Sequence, residues 1–201
     1  MKVVTRDSVL SKGRVIVLNG PSSSGKSSLA QALQRRFVQP HLHVTLDAFR
    51  AMEPPGYFEA VQPEQLALRV AALCRALNAT TAEYARHGLN VLLDHVLPAV
   101  GWKYLAEDLV EFSVFLVGVH CSLPELQARE LCRQDRPAGL AASQFSAIHR
   151  DTEYDFSVDT SESSVEECAT AVVDWFLYDP SPNAFAKVVE RHASVQPVCQ
   201  R

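Results

Sequence analysis

The feature that most constrains the fold is a short polar stretch between an apolar run and a helical pattern. Residues 15–33 read VIVLNGPSSSGKSSLAQAL, and every fixed position of the pattern G-x-x-x-x-G-K-[ST] is filled. A strand is expected before this stretch and a helix after it, which is the setting the pattern requires. Its glycines let the backbone approach an anion, while successive N–H groups and the positive helix end face phosphates. The stretch predicts a phosphate cradle; the alternative is a serine-rich turn without a ligand.

Two side chains of the cradle have separate expected roles. Lys26 is expected to reach the β- and γ-phosphates of a nucleotide, and the Ser27 hydroxyl to ligate Mg²⁺. The motif therefore predicts a nucleoside triphosphate, without deciding between a kinase, a switch and a motor. The cradle consists of Gly20, Pro21, Ser22, Ser23, Ser24, Gly25, Lys26 and Ser27.

Composition restricts the possible partners. The chain has 201 residues and a net charge of −4, so no global positive field attracts nucleic acid or anionic lipid. Its five cysteines are odd in number and form no C-x-x-C pair, which argues against a disulfide framework and a zinc site. No signal-peptide pattern or membrane-length apolar run is present, so we expect a cytoplasmic protein. The oligomeric state stays open.

Short apolar runs alternate with longer helical patterns along the chain. The runs are dense in Val, Leu and Ile without clean alternation, which is typical of a parallel sheet buried on both faces. We expect an α/β fold in which right-handed crossovers place helices on both faces of a five-stranded parallel sheet. One domain is expected over 1–178, followed by a loosely attached proline-containing tail over 179–201. The expected strands span 15–18, 43–46, 91–93, 112–119 and 154–158, and the expected helices 27–37, 63–87, 123–133 and 163–177.

Two aspartates end predicted strands. Asp47 closes HVTLD and Asp94 closes VLLD, and ligands of open parallel sheets bind beyond the carboxyl ends of the strands. Asp47 precedes an irregular segment at 50–62 that suits an acceptor pocket, so we assign it as general base. Asp94 is then the carboxylate on the Mg²⁺ side. The alternative for each is a cap on the helix that follows.

The stretch ELQARELCRQDR carries three arginines, Arg129, Arg133 and Arg136. Clustered guanidinium groups beside a triphosphate can clamp its oxygens and offset charge during transfer. The alternative is a solvated helix with Glu–Arg pairs. The segment 133–146 has a Pro-Ala-Gly step and is interpreted as a loop that serves as a lid or substrate segment.

Other polar and aromatic residues have ordinary interpretations. Two interpretations are open for Asp159, Thr160 and Ser161. They are expected either to form an N-cap turn after the last strand or to contact adenine. His95, His120 and His149 lack metal-site spacing and are expected to have ordinary polar roles. Trp102, Trp175 and Phe176 are expected to pack in the core.

Several stretches together resemble the chloramphenicol phosphotransferase family. They are VLNGPSSSGKSS, TLD, LLDHVL, FLVGVHC, ARELCRQDRPAGLA and HRDTEYDFSVDTSESSVEECA, in order over most of residues 14–172. The resemblance implies a P-loop NTPase/kinase fold and ATP-dependent phosphorylation of a hydroxyl on a small molecule, with antibiotic resistance as one role.

The resemblance also implies roles for individual residues. It extends the nucleotide-phosphate site from Gly20 to Ser28 and places Asp47 at the position of the family's proposed base. Arg133 and Arg136 fall in the family's lid, and Arg129 falls where related kinases stack an arginine on adenine. Residues 159–161 match the loop near the base.

The chain departs from the family between Asp47 and the long helix. The segment AFRAMEPPGYFEAVQPEQL is shorter than the family's insert, so the acceptor need not be chloramphenicol. Met52, Tyr57 and Phe58 either form an apolar wall for an aromatic acceptor or pack the segment down. Two alternatives remain: a kinase of another small metabolite, and a nucleotide-binding switch that transfers no phosphate.

Overall fold

A computed structural model describes residues 11–57, 60–132, 139–178 and 181–193. The strands are β1 (Arg14–Asn19), β2 (His41–Thr45), β3 (Asn90–His95), β4 (Ser113–His120) and β5 (Phe156–Asp159). The helices are α1 (Lys26–Arg36), α2 (Leu46–Arg50), α3 (Pro63–Arg86), α4 (Ala99–Leu109), α5 (Leu123–Leu131), α6 (Leu140–Ile148), α7 (Val165–Tyr178) and α8 (Ala184–Ala193). In these ranges, every helix is too short or too polar to cross a bilayer.

The five strands form one parallel sheet in the order β2-β3-β1-β4-β5. This confirms the predicted sheet. Strand β1 lies in the middle, and its residues Val15, Ile16, Val17 and Leu18 are completely buried. An apolar run without alternation fits this position, because a central parallel strand is covered on both faces.

Each face of the sheet packs against its own set of helices. Val15 and Val17 pack on one face, in a core with side chains of α3, α4 and α8. Ile16 and Leu18 pack on the other face, in a core with side chains of α1 and α7. The two layers are the arrangement that right-handed crossovers produce.

Four helices were missing from the sequence-based assignment, namely α2, α4, α6 and α8. The interpretation of 133–146 as a loop is wrong for its last part, because α6 begins at Leu140. Gly139 precedes it with φ 86°, and the Glu130 carboxylate accepts hydrogen bonds from Gly139 N and Ala141 N, both at 2.8 Å. The start of α6 thus depends on a side chain from α5, which a local sequence pattern does not reveal.

Helix α8 lies within the segment expected to be a tail. Its residues Ala184, Phe185 and Val188 are buried against the sheet face that carries α3 and α4. One carboxylate oxygen of Asp155 accepts from Asn183 N and Ala184 N, both at 2.8 Å. An acidic side chain at a helix N-terminus satisfies N–H groups that have no partner within the helix. Docking and capping together attach α8 to the sheet.

Strand register brings distant residues together at the carboxyl edge of the sheet. Asp94 of β3 pairs with Leu18 of β1 on one side and with Thr45 of β2 on the other. His120 of β4 pairs with Asp159 of β5. The phosphate cradle follows β1 at this same edge. The ends of the neighbouring strands therefore lie close to it.

Candidate active site

The predicted cradle connects β1 to α1 and is nearly closed to solvent. Ser22 is 1% exposed, Ser24 is fully buried, and Lys26 is 7% exposed. Helix α1 begins after Gly25, whose φ is 89°, and among the described residues no side chain caps it. Its first N–H groups and its positive end therefore point toward the cradle, the arrangement that binds phosphate. The serines at 27 and 28 lie in the exposed first turn of α1.

Gly20 meets a packing requirement in addition to the predicted approach to an anion. A Cβ atom at this position would lie 2.3 Å from the carbonyl oxygen of Val119 in β4. Real Cβ atoms do not approach a backbone oxygen so closely, so only glycine lets the cradle leave β1 beside β4. The close approach is to the neighbouring strand, whereas the left-handed conformations within the cradle are those of Ser23 and Gly25.

Asp94 lies directly beside the cradle. The Ser27 hydroxyl donates to its Oδ2 at 2.6 Å, Nζ of Lys26 lies 4.0 Å from its Oδ1, and His43 Nε2 lies 3.6 Å from Oδ2. Burial raises the pKa of Asp94, but the nearby His43 ring, the Lys26 charge and the Ser27 hydroxyl outweigh it, so the pKa lies below its ordinary value. The carboxylate is ionised at neutral pH. It does not cap α4, because that cap is Pro98.

Asp47 lies in the first turn of α2, immediately after β2, and its side chain is exposed. The cap of α2 is Thr45, whose hydroxyl oxygen accepts from Ala48 N at 3.0 Å. The alternative role predicted for Asp47, a helix cap, therefore belongs to Thr45. Because β2 is adjacent to β3, Asp47 and Asp94 lie at the ends of neighbouring strands.

Arg129 links α5 to the cradle through Thr160. Its guanidinium donates to the Thr160 hydroxyl at 3.0 Å and to the Thr160 carbonyl at 2.8 Å. The Thr160 hydroxyl in turn donates to the carbonyl of Ser24 at 2.9 Å. Arg129 also pairs with Glu125 at 2.9 Å, so the predicted Glu–Arg helix pair and the position beside the cradle occur together.

The remaining residues predicted for this side of the site are Asp159, Ser161, Arg133 and Arg136. Asp159 accepts from the backbone N–H and the hydroxyl of Ser161 and closes the turn after β5. It does not cap α7, where Ser164 and Glu167 form a reciprocal capping box. Arg133 and Arg136 lie outside the described residues.

A group of histidines at the carboxyl edge was not assigned to the site from the sequence. The rings of His120 and His149 stack with their centroids 4.0 Å apart. His149 Nδ1 lies 2.8 Å from the Tyr154 hydroxyl, which accepts from Asn19 Nδ2 at 2.7 Å. Burial, His120 and the Lys26 charge lower the pKa of His149 to about 4, so its ring is neutral near the cradle.

His95 follows Asp94 and is 1% exposed. Its Nδ1 accepts from Val96 N at 2.9 Å, which places the ring proton on Nε2. Burial lowers its pKa to about 4. The available signal in the sequence was position, since His95 and His120 are the last residues of β3 and β4.

The geometry can bind and orient a polyphosphate. Backbone N–H groups, the α1 N-terminus and Lys26 supply positive potential for phosphate oxygens. The Ser27 hydroxyl and the Asp94 carboxylate supply oxygen ligands, 2.6 Å apart, of the kind that Mg²⁺ prefers. The Asp47 carboxylate, just beyond the end of β2, is exposed. A second ligand that arrives from solvent can reach it while a polyphosphate occupies the cradle.

Known proteins carry a similar sequence pattern over most of the chain. The sequence model of the family described as "Chloramphenicol phosphotransferase-like protein" matches residues 13–176. Two curated proteins from Mycobacterium tuberculosis strains CDC 1551 and H37Rv, each named "Putative O-phosphotransferase", are 33% identical to the chain over 208 residues. Each alignment covers 91% of both chains.

Solved structures show the same fold at low sequence identity. The Mycobacterium tuberculosis APS kinase CysC in complex with AMPPNP and APS aligns with a TM-score of 0.64 and 22% identity, covering 83% of this chain and 98% of that one. The Acinetobacter baumannii shikimate kinase in complex with shikimate aligns with a TM-score of 0.58 and 12% identity, covering 84% and 95%. These likenesses confirm the predicted P-loop kinase fold.

Proposed function

Because this chain belongs to the chloramphenicol phosphotransferase-like family, as its ordered motifs predicted, we propose that it transfers the γ-phosphate of ATP to a hydroxyl group of a small molecule. The names of the two curated relatives support an O-phosphotransferase. The kinase fold supports ATP as the donor. The acceptor is either an antibiotic of the kind in the family name or another small molecule with a hydroxyl group.

The observation that carries the proposal is the contact between Ser27, Lys26 and Asp94. A lysine and a serine of the cradle converge on one buried carboxylate from the adjacent strand. A turn without a ligand has no need to bury this charged group, since burial of an ion is costly unless it is paired. The Ser27 and Asp94 oxygens fit Mg²⁺, which when bound would offset negative charge on the β- and γ-phosphates.

Asp47 is the proposed general base. Its carboxylate accepts the proton of the acceptor hydroxyl as the hydroxyl oxygen forms a bond to the γ-phosphorus and the bond to ADP breaks. Its exposure supports this role, because an acceptor that arrives from solvent can reach it. Lys26 and the cradle N–H groups hold the phosphates in line, so that catalysis depends mainly on positioning and electrostatic stabilisation. The proposed Arg133 and Arg136 contacts would add charge on the lid side.

The segment between α2 and α3 is the proposed acceptor side of the site. Tyr57 lies under the guanidinium of Arg69, 3.6 Å from the ring centroid, and Arg69 also pairs with Glu53 at 3.4 Å. This packing favours the interpretation in which Tyr57 holds the segment in place. Met52 is 75% exposed, which leaves it accessible to an acceptor. Phe58 lies outside the described residues.

The test is phosphorylation of a panel of small hydroxyl compounds, chloramphenicol among them. The purified protein is incubated with Mg·ATP, and mass spectrometry detects the gain of one phosphoryl group. We expect product with the wild type and none with Lys26→Ala or Asp47→Asn. The matched controls are Lys103→Ala on α4 and Asp174→Asn on α7, both exposed positions outside the site. Product that persists in Asp47→Asn would refute the assigned base, and ATP binding without any phosphorylated acceptor would favour the switch.

A further inference from the structure

The side chain of Gln144 reaches the phosphate cradle from α6. Its Oε1 accepts a hydrogen bond from the backbone N–H of Ser22 at 2.7 Å. Ser22 is 1% exposed and lies within the G-x-x-x-x-G-K-S stretch. Backbone N–H groups of such a cradle are the donors that bind phosphate oxygens. The amide oxygen of Gln144 thus occupies an acceptor position of the type that a phosphate oxygen takes.

The contact completes a ring of hydrogen bonds around the cradle. From Ser24 the ring passes through Thr160 to Arg129 on α5. The next residue of α5, Glu130, binds the N-terminus of α6 through Gly139 N and Ala141 N. Gln144 lies one turn further along α6 and returns to the cradle at Ser22, two residues before the starting point.

The link between Gln144 and Ser22 is the one part of this ring that a phosphate can replace. The bonds at Thr160, Arg129 and Glu130 join protein groups to one another, whereas the Ser22 N–H belongs to the expected phosphate site. An N–H group has one hydrogen and makes one good hydrogen bond at a time. A phosphate oxygen and the Gln144 amide oxygen therefore exclude each other at this donor.

We propose that Gln144 is a positioning residue that competes with a nucleotide phosphate for the Ser22 N–H and so couples phosphate binding to helix α6. The proposal rests on the proposed function, because it assumes that the cradle binds a polyphosphate. When the phosphate takes the donor, Gln144 releases it and α6 loses its direct bond to the cradle. The residue thus links the loading of the cradle to α6.

The test measures binding by calorimetry, without turnover, for three probes: a non-hydrolysable ATP analogue, adenosine and inorganic triphosphate. In Gln144→Ala the competitor is absent, and we expect both phosphate-bearing probes to bind about 2- to 10-fold more tightly, the equivalent of one neutral hydrogen bond. In Gln144→Glu a charged acceptor binds the N–H more strongly and repels phosphate, so we expect binding about tenfold weaker. Adenosine should bind equally to all variants.

Ser143→Ala is the matched control, since Ser143 lies next to Gln144 on α6 and bonds only within its own helix in the structure's described part. It should leave all three affinities unchanged. Weaker or unchanged triphosphate binding in Gln144→Ala would overturn the proposal, as would an equal effect on adenosine. Urea unfolding of each variant verifies that it is folded.

The design separates this inference from the proposed function. If the ATP analogue fails to bind the wild type while inorganic triphosphate binds and responds to Gln144, the ATP-dependent function is wrong and the competition stands. If the analogue binds and Gln144→Ala changes nothing, the function stands and the competition is wrong. If neither phosphate-bearing probe binds, both are wrong.

Discussion

The contact between Lys26 and Asp94 predicts strong energetic coupling that a double-mutant cycle can measure. The charged atoms lie 4.0 Å apart and both side chains are nearly buried. At an effective dielectric constant of about 20, two unit charges at this distance attract by about 4 kcal/mol. Removing one partner leaves the other charge buried, which typically costs about 3–5 kcal/mol. We therefore expect Asp94→Asn and Lys26→Met each to lower the free energy of unfolding by about 3 kcal/mol.

The double variant is the informative one. Since it removes both charges, its loss should be smaller than the sum of the single losses by about 2–4 kcal/mol, the coupling energy. Urea unfolding at pH 7, without nucleotide and followed by tryptophan fluorescence, measures all four proteins. If the losses add to within about 0.5 kcal/mol, the two charges are independent and the reasoning is refuted.

The cycle also has a pH signature. Asp94 has a folded-state pKa below its unfolded value of 3.8. Its stabilising contribution is therefore complete above pH 3.8 and is lost as the pH falls through the lower pKa of the folded protein. The stability difference between wild type and Asp94→Asn should stay constant from pH 7 to about 5 and shrink only at strongly acidic pH. A difference that disappears near neutral pH would show that the folded-state pKa of Asp94 is raised and not lowered, and would refute this reasoning.

Two further predictions concern the cradle and its surroundings. The pKa of His95 falls from 6.5 to about 4 on folding, so the unfolded chain binds more protons between these values, and about 3 kcal/mol of stability should be lost as the pH falls from 6.5 to 4. His95→Asn should flatten this part of the stability curve in urea unfolding, whereas His87→Gln, at the exposed C-cap of α3, should not. Gly20→Ala would force a Cβ atom to within 2.3 Å of the Val119 carbonyl oxygen, so we expect the ATP analogue to bind at least about tenfold more weakly by calorimetry. Unchanged affinity would show that the cradle adjusts without loss.

The sequence predicts those parts of the fold whose cause is local. The apolar strands, the cradle and α3 depend on patterns within a few residues, and the structure has them at nearly the expected bounds. Helix α6 depends on the Glu130 carboxylate nine or more residues earlier, and α8 depends on Asp155 from the segment before β5. Those caps are tertiary contacts, so the segments looked like a loop and a tail.

The candidate site likewise has a part that the sequence predicts and a part that it does not. The cradle and the position of Asp94 followed from the motif and from the rule that strand carboxyl ends share one edge. The neutral histidines and the Gln144 contact did not, because they require the register of β3 and β4 and the course of α6. The signal that was present, a polar residue at each strand end, applied to His95 and His120 as much as to the aspartates.

The two aspartates differ in environment, and this difference supports the proposed division of roles. Both oxygens of Asp94 face partners, since Ser27 and His43 approach Oδ2 and Lys26 approaches Oδ1. A carboxylate held in this way is suited to binding a metal ion beside the phosphates, but an acceptor hydroxyl cannot reach it from solvent. Asp47 is exposed in the first turn of α2, after a helix cap supplied by Thr45. In the proposed mechanism, the end of β3 would supply a carboxylate for the nucleotide side and α2, directly after β2, a carboxylate for the acceptor side, as transfer between two bound molecules requires.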